Sequence, residues 1–240
     1  ATNATRNWIY INVSVTEANP ANVTFYLYDA SLTLLQTNVT GSTNRAINYT
    51  GQSDGLYYYN VTINDTMGNI NTTGPRSIRL DTTLPSIDYA GGTSTDATNV
   101  SRNWIYVNVS IIETNEQVVV FRLFNSTLGI RYTNTTTAGT RSINHTGLAD
   151  GLYYYNVTVN DSVAYSNFTS TRTIRLDTIV PEVTLFSVND SDSKVKSTNS
   201  LNFSASITDS GSGITSVIMN GTTLTQSGTI WWTLNTTSQF

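Results

Sequence analysis

The chain has no cysteine, which excludes a disulfide framework, a thiolate metal site and a cysteine nucleophile. Its one histidine, His145, excludes a triad of histidines and any multi-histidine zinc centre. Charged residues are only 12% of the 240 residues, about half of the ~25% usual in soluble domains. Just two lysines occur, Lys194 and Lys196, and the formal net charge is −4. Electrostatic nucleic-acid binding, which needs a basic stripe, is therefore excluded. No apolar run approaches the ~18 residues of a membrane-spanning helix; Val118-Val119-Val120-Phe121 is among the longest. No charged-then-apolar leader opens the chain, so a signal peptide is expected to be already removed or to lie outside it.

Asparagine, threonine and serine stand in place of the missing charge: 27 Asn, 42 Thr and 26 Ser. A composition this polar can mean disorder, but 38% of the residues are apolar and 14 are Tyr, set in regular alternation. The reading is a folded, β-rich chain with a coated surface.

An internal repeat fixes the organisation. Arg6-Asn7-Trp8-Ile9-Tyr10 returns at Arg102 to Tyr106, Asp54 to Thr62 returns at Asp150 to Thr158, and Ile78 to Thr82 returns at Ile174 to Thr178. All three share an offset of 96, and an ungapped overlay of residues 1–85 on 97–181 gives 45 identities. Each copy closes on Leu-Asp-Thr, two residues and a proline, Pro85 or Pro181, which predicts stiff, extended junctions. A third segment keeps the parity only in Leu201, Phe203, Ala205 and Ile207, then carries its own Asp209-Ser210-Gly211-Ser212-Gly213-Ile214.

Within each copy, short alternating segments are punctuated by turn residues. Ile105, Val107, Val109 and Ile111 share one face; Val119, Phe121 and Leu123 another; Tyr153, Tyr155, Val157 and Val159 a third; Ile174 and Leu176 close the set. Helical periodicity is absent and threonine is everywhere, which favours strands. About seven strands in ~95 residues suits a two-sheet sandwich. The run Asp-Gly-Leu-Tyr-Tyr-Tyr-Asn-Val-Thr-x-Asn-Asp, with its Leu-Asp-Thr-x-x-Pro ending, resembles the immunoglobulin-like repeats of bacterial and archaeal cell-surface proteins. The resemblance implies tyrosine corners at Tyr57 and Tyr153, each bonded back to the backbone near the Asp-Gly turn. It also implies an extracellular setting, and it carries no activity, because this fold hosts many functions.

Asn-x-Ser/Thr acceptor sequons are the one chemical signal well above chance. They number 20: Asn3, Asn12, Asn22, Asn38, Asn48, Asn60, Asn64, Asn71, Asn99, Asn108, Asn125, Asn134, Asn144, Asn156, Asn160, Asn167, Asn189, Asn202, Asn220 and Asn235. Random placement of 27 Asn in a chain with 68 Ser and Thr gives about 8. Seven recur at the 96-residue offset: Asn3/Asn99, Asn12/Asn108, Asn38/Asn134, Asn48/Asn144, Asn60/Asn156, Asn64/Asn160 and Asn71/Asn167. Asn108, Asn156, Asn160 and Asn202 fall on the strand face opposite the apolar set, where a bulky hydrated glycan must project. Asparagine is a poor strand residue, so its repeated mid-strand placement calls for more than packing. The bland alternative is that threonine suits strands, asparagine suits turns, and duplication copies accidents; N-glycosylation of many sites is the expectation.

Other constellations carry less. Glu113 with Glu116, Asp65/Asp161 with Asp81/Asp177, and Asp190-Ser191-Asp192 could hold Ca2+ at junctions, but no twelve-residue calcium loop is present, and turn acids are the plainer reading. No cofactor is expected. Paired carboxylates for glycoside cleavage need a cleft that a small sandwich lacks, so the chain is expected not to be an enzyme. His145 sits where Tyr49 sits in the first copy and reads as a partly exposed ring. Trp8, Trp104 and the Tyr57–Tyr59 and Tyr153–Tyr155 runs could stack sugars, but their recurrence favours core and corner roles. Of adjacent Trp231 and Trp232, one is expected to face outward.

The fold expected is all-β, tandem immunoglobulin-like β-sandwiches arranged as beads in a rod. Residues 1–84 form repeat 1 with its first strand missing, 85–180 repeat 2, and 181–240 a divergent repeat 3 whose last strands are missing. Either a longer chain supplies these strands or another subunit donates them. The function expected is that of a structural extracellular glycoprotein of a cell-surface stalk, sheath or filament, most simply archaeal. Its partners would be copies of itself or continuing repeats, with no nucleic acid and no membrane span in this segment. The alternatives are an adhesin and the non-catalytic accessory segment of an enzyme.

Overall fold

The computed structural model describes residues 2–188, 200–219, 222–227 and 230–236. The first copy supplies β1 (Thr2–Ala4), β2 (Ile9–Asn12), β3 (Pro20–Tyr28), β4 (Leu34–Gly41), β5 (Ala46–Tyr49), β6 (Gly55–Asp65), β7 (Ile70–Thr72) and β8 (Arg76–Leu80). The second supplies β9 (Ser86–Tyr89), β10 (Thr98–Val100), β11 (Ile105–Ile112), β12 (Glu116–Phe124), β13 (Ile130–Thr137), β14 (Ser142–His145), β15 (Gly151–Asp161), β16 (Ser166–Phe168) and β17 (Arg172–Leu176). Then follow β18 (Glu182–Val188), β19 (Ser200–Thr208), β20 (Ile218–Met219), β21 (Thr222–Thr223), β22 (Thr225–Ser227) and β23 (Ile230–Thr236). Among the described residues every regular element is a strand, and no helix is long and apolar enough to cross a membrane.

The two copies share one topology. Strands β1-β8-β6-β3-β4 form one sheet with β7 beside β6, and β10-β17-β15-β12-β13 form its counterpart with β16 beside β15. The opposing sheets are β2-β5 in the first copy and β14-β11-β9 in the second. Two antiparallel sheets over a shared core is the immunoglobulin-like sandwich. The short edge strands β1 and β10 run parallel to β8 and β17. The third segment forms a sheet β18-β19-β23-β22 and a β20-β21 pair, over a small cluster of Ala205, Ile207 and Leu224.

Alternation explains the core. In the first copy Ile9, Ile11 and Tyr49 from one sheet pack against Val23, Phe25, Leu27, Val61, Ile78 and Leu80 from the other. In the second, Ile105, Val107, Val109, Val119, Phe121, Leu123, Tyr155, Val157 and Val159 are all buried. Burying each such side chain contributes roughly 1.5–3 kcal/mol, enough to hold strands that no disulfide staples together.

Polar locks set the turns. Gly55 and Gly151, at φ of 154° and 148°, take a backbone shape open to glycine, and each opens the long tyrosine strand. The aspartate before each glycine reaches the end of its own copy. Thr82 donates from N–H and hydroxyl to Asp54 Oδ1, and Thr178 donates from N–H to Asp150 Oδ2. That bond accounts for the recurrence of both Asp-Gly and Leu-Asp-Thr. Tyr57 donates its hydroxyl to Ser53 O and Tyr153 to Ala149 O, both at 2.9 Å, and both rings are buried.

Spatially the chain groups into two compact units whose boundaries cut across the sequence copies. One holds residues 1–86, 111–118 and 159–167; the other holds 87–110, 119–158 and the described residues from 168 onward.

Replacing Tyr153 with Phe removes its bond to Ala149 O and should lower unfolding stability by about 0.5–1.5 kcal/mol. Urea unfolding of the variant beside the parent measures it, and an unchanged midpoint would contradict the assigned role.

Candidate functional site

The surface that bears the sequons is the chain's main chemical feature, and none of the 16 acceptor asparagines whose exposure is described is buried. Asn3, Asn12, Asn22, Asn48, Asn71, Asn99, Asn125, Asn134 and Asn144 are exposed. Asn38, Asn60, Asn64, Asn108, Asn156, Asn160 and Asn167 are half-buried. Asn202 and Asn235 lie in β19 and β23, while Asn189 and Asn220 fall outside the described residues.

Parity put Asn108, Asn156 and Asn160 on an open face, and the structure places them deeper. The chain between β9 and β10 folds over β11: Asn108 donates its Nδ2–H to Gly91 O, while Asn108 O accepts from Ala90 N–H and the Thr93 hydroxyl. Its counterpart Asn12 carries no such cover and is exposed. Asn156 donates to Thr171 Oγ1, and the amide oxygens of Asn60 and Asn156 are buried without a partner. Asn3 and Asn167 spend an Nδ2–H on Ser162 O and Pro85 O. Asn125 differs: it is exposed, and its Oδ1 accepts from Thr127 N–H, the Thr127 hydroxyl and Gly129 N–H.

The aromatic residues separate into two classes. Tyr155 is 1% exposed and donates to Ser94 O. Tyr89 lies edge-on against the Tyr155 ring and donates to Tyr155 O and Ser170 O, and burial pushes its phenol up to about 12. Trp8 and Trp104 are not core residues. Arg6 stacks 3.7 Å above Trp8 and Arg102 3.8 Å above Trp104, which is 36% exposed. The side chains of Trp231 and Trp232 lie outside the described residues.

His145 is no partly exposed ring. It is 7% exposed, pairs across from Ile105 and stacks on Tyr132 with centroids 5.4 Å apart. It fills the core slot that Tyr49 fills in the first copy, so the swap between copies reflects shared shape, not shared exposure.

Of the acidic candidates, the structure brings Asp81, Glu113 and Asp161 together. Asp65 instead closes its own loop, accepting from Asn69 Nδ2–H and from the Met67 and Asn69 N–H groups. Asp177 accepts from the N–H groups of Ile179 and Ser212, and Ser212 holds its carboxyl below the usual range. Glu116 stands outside the Asp81 group, and Asp190 and Asp192 are outside the described residues. A groove of about 420 Å³ lies along Val13, Val15, Val61, Ile63 and Thr73, beside the two-stranded β2-β5 sheet. In the second copy β9 lies beside β11, the counterpart of β2.

No family model matches the chain, and no curated protein matches it. Among solved structures it resembles the fibronectin(III)-like modules of Clostridium thermocellum CbhA at 12% identity and a TM-score of 0.34, over 73% of this chain and 86% of that one. It also resembles an amphioxus IgVJ-C2 molecule at 10% identity and a TM-score of 0.44, over 72% of this chain and 98% of that one.

Burial lowers the His145 pKa from its ordinary value of 6.5. The neutral ring is favoured in the fold, so its contribution is complete above the unfolded pKa and is lost as pH falls through the folded one. His145→Tyr, which copies Tyr49, should therefore flatten the decline in thermal midpoint between pH 7 and pH 5. An identical pH profile in parent and variant would show that the ring titrates freely.

Proposed function

We propose that the chain is a repeat segment of a structural extracellular glycoprotein, part of a cell-surface stalk, S-layer-like sheath or filament of an archaeon. The observation that carries the reading is the sequon set: 20 acceptors, 7 recurring pairs, and none buried among the 16 whose exposure is described. A surface with 12% charge and this many amides needs another source of hydration, and glycans supply it. Repeated sandwiches hold shape, and sugar shields them from proteases and from each other. The partners in this reading are further repeats, in the same chain or in other copies, adding a strand beside β2 along the 420 Å³ groove.

Half-exposed, arginine-capped tryptophans that recur in both copies favour a second reading, an adhesin that holds carbohydrate or another cell. The two readings differ in coverage. A structural repeat carries glycans all round, whereas an adhesin leaves bare the surface around Trp8 and Trp104.

Residue-resolved glycopeptide mapping of protein from its native source tests both. Occupancy is expected at most exposed acceptors, Asn12, Asn22, Asn48, Asn71, Asn99, Asn125, Asn134 and Asn144 among them. It should be lower at Asn60, Asn108, Asn156 and Asn160, whose amides are partly covered. An intact mass at the bare 26.3 kDa would overturn the proposal.

A further inference from the structure

Asp81, Glu113 and Asp161 come from distant parts of the sequence yet lie within the first compact unit. Asp81 follows β8, Glu113 sits in the turn between β11 and β12, and Asp161 ends β15. One carboxylate oxygen from each lies within 4.8 Å of the other two. Oxygens spaced this way can share one central ion at about 2.4 Å, the coordination distance of calcium.

The hydrogen bonds show which oxygens remain. Asp81 accepts from Thr83 N–H at Oδ1 and from Asn115 Nδ2–H at Oδ2. Glu113 Oε1 accepts from Asn115 N–H, and Asp161 Oδ1 accepts from the N–H groups of Val163 and Tyr165. These bonds fix the orientation of all three carboxylates. Glu113 Oε2 and Asp161 Oδ2 are buried with no hydrogen-bond partner, and Asp161 as a whole is 0% exposed. Arg79 donates its Nη1–H to Asn115 Oδ1, which holds that amide in place. A fully buried carboxylate oxygen without a donor is costly, and a cation removes that cost.

The first copy provides an internal comparison. Asp65 is the counterpart of Asp161, and its Oδ2 accepts from Asn69 Nδ2–H at 2.8 Å. The residue matching Asn69 is Tyr165, which has no amide to offer. The second copy has thus lost the neutral partner of this aspartate at the place where Asp81 and Glu113 gather beside it. We propose that Asp81, Glu113 and Asp161 form a calcium site. The donors are all hard oxygens, with neither nitrogen nor sulfur, which selects calcium over zinc or copper. The site joins the end of repeat 1 to two loops of repeat 2, and the proposal stands independently of glycosylation.

The test uses the full 240-residue chain, stripped with a chelator and then titrated with CaCl2 alone, followed by calorimetry and thermal unfolding. Calcium at a hundredfold excess over Kd should raise the first unfolding midpoint by about 5–10 °C. Asp161→Asn should abolish both heat and shift, while its chelated form unfolds no earlier than the parent, because one buried repulsion is gone. Glu113→Gln, at a half-buried position, should act likewise and decides the matter if Asp161→Asn does not fold. Asp65→Asn, outside the group, should keep the full shift. No heat and no shift in the parent at millimolar calcium, or an undiminished shift in Glu113→Gln, would overturn the site.

Discussion

A carboxylate accepting backbone N–H groups at a turn is the interaction on which this fold depends. The chain has few charges, and most of its described acids serve this task. Asp29 accepts from Ser31 and Thr33, Asp65 from Met67 and Asn69, Asp161 from Val163 and Tyr165. Asp54 and Asp150 fasten the ends of their copies through Thr82 and Thr178. Asp96 accepts from the Thr173 and Ala97 N–H groups, and the Thr173 bonds hold its carboxyl below the ordinary carboxylate range. Glu17, Glu113 and Asp209 each accept from the N–H two residues on. Without disulfides, strand register in a sandwich is set where the turns are set, and here charge-assisted bonds set them.

The sheets then need only alternate. Once the Asp-Gly turn orients β6 and β15, Tyr57 and Tyr153 point inward, their hydroxyls return to the backbone, and every second residue follows into the core. In the second copy Tyr89 extends this logic. Its hydroxyl bridges two carbonyls on separate strands or their margins, and Arg172 lies 4.1 Å over its ring. Strand β9 is thereby pinned by one side chain as well as by its pairing with β11.

How much of this the sequence reveals depends on range. Faces were legible, because period two is local: each of Ile105, Val107, Val109, Phe121, Tyr155 and Val157 is buried as alternation requires. Depth was not. Asn108 faces outward by parity yet is covered by a crossing segment some 15 residues upstream in sequence, which periodicity cannot register. His145 is buried for the same kind of reason, since aromatic character is visible in a sequence and the neighbouring Tyr132 ring is not. The aspartates and Glu113 could be named as calcium candidates, but pairing Asp65 with Asp161 as equivalents hid their difference. Only the hydrogen bonds show that Asn69 satisfies one and that Tyr165 leaves the other open.

The edge strands β4 and β13 have a consequence for how this chain stays separate from its neighbours. Each ends its sheet, is exposed along most of its length, and carries apolar side chains in the open: Leu34, Leu35 and Val39 on one, Ile130 and Tyr132 on the other. Many proteins guard such an edge with lysine, because a charge resists being zipped against a foreign strand. This chain has two lysines, and neither lies on β4 or β13. What each edge does carry, near its middle, is an acceptor asparagine, Asn38 or Asn134. On the proposed reading the guard is carbohydrate: a branched, hydrated group too wide for a second strand to approach. Its protection is steric, so it persists at salt concentrations that would silence a charged edge.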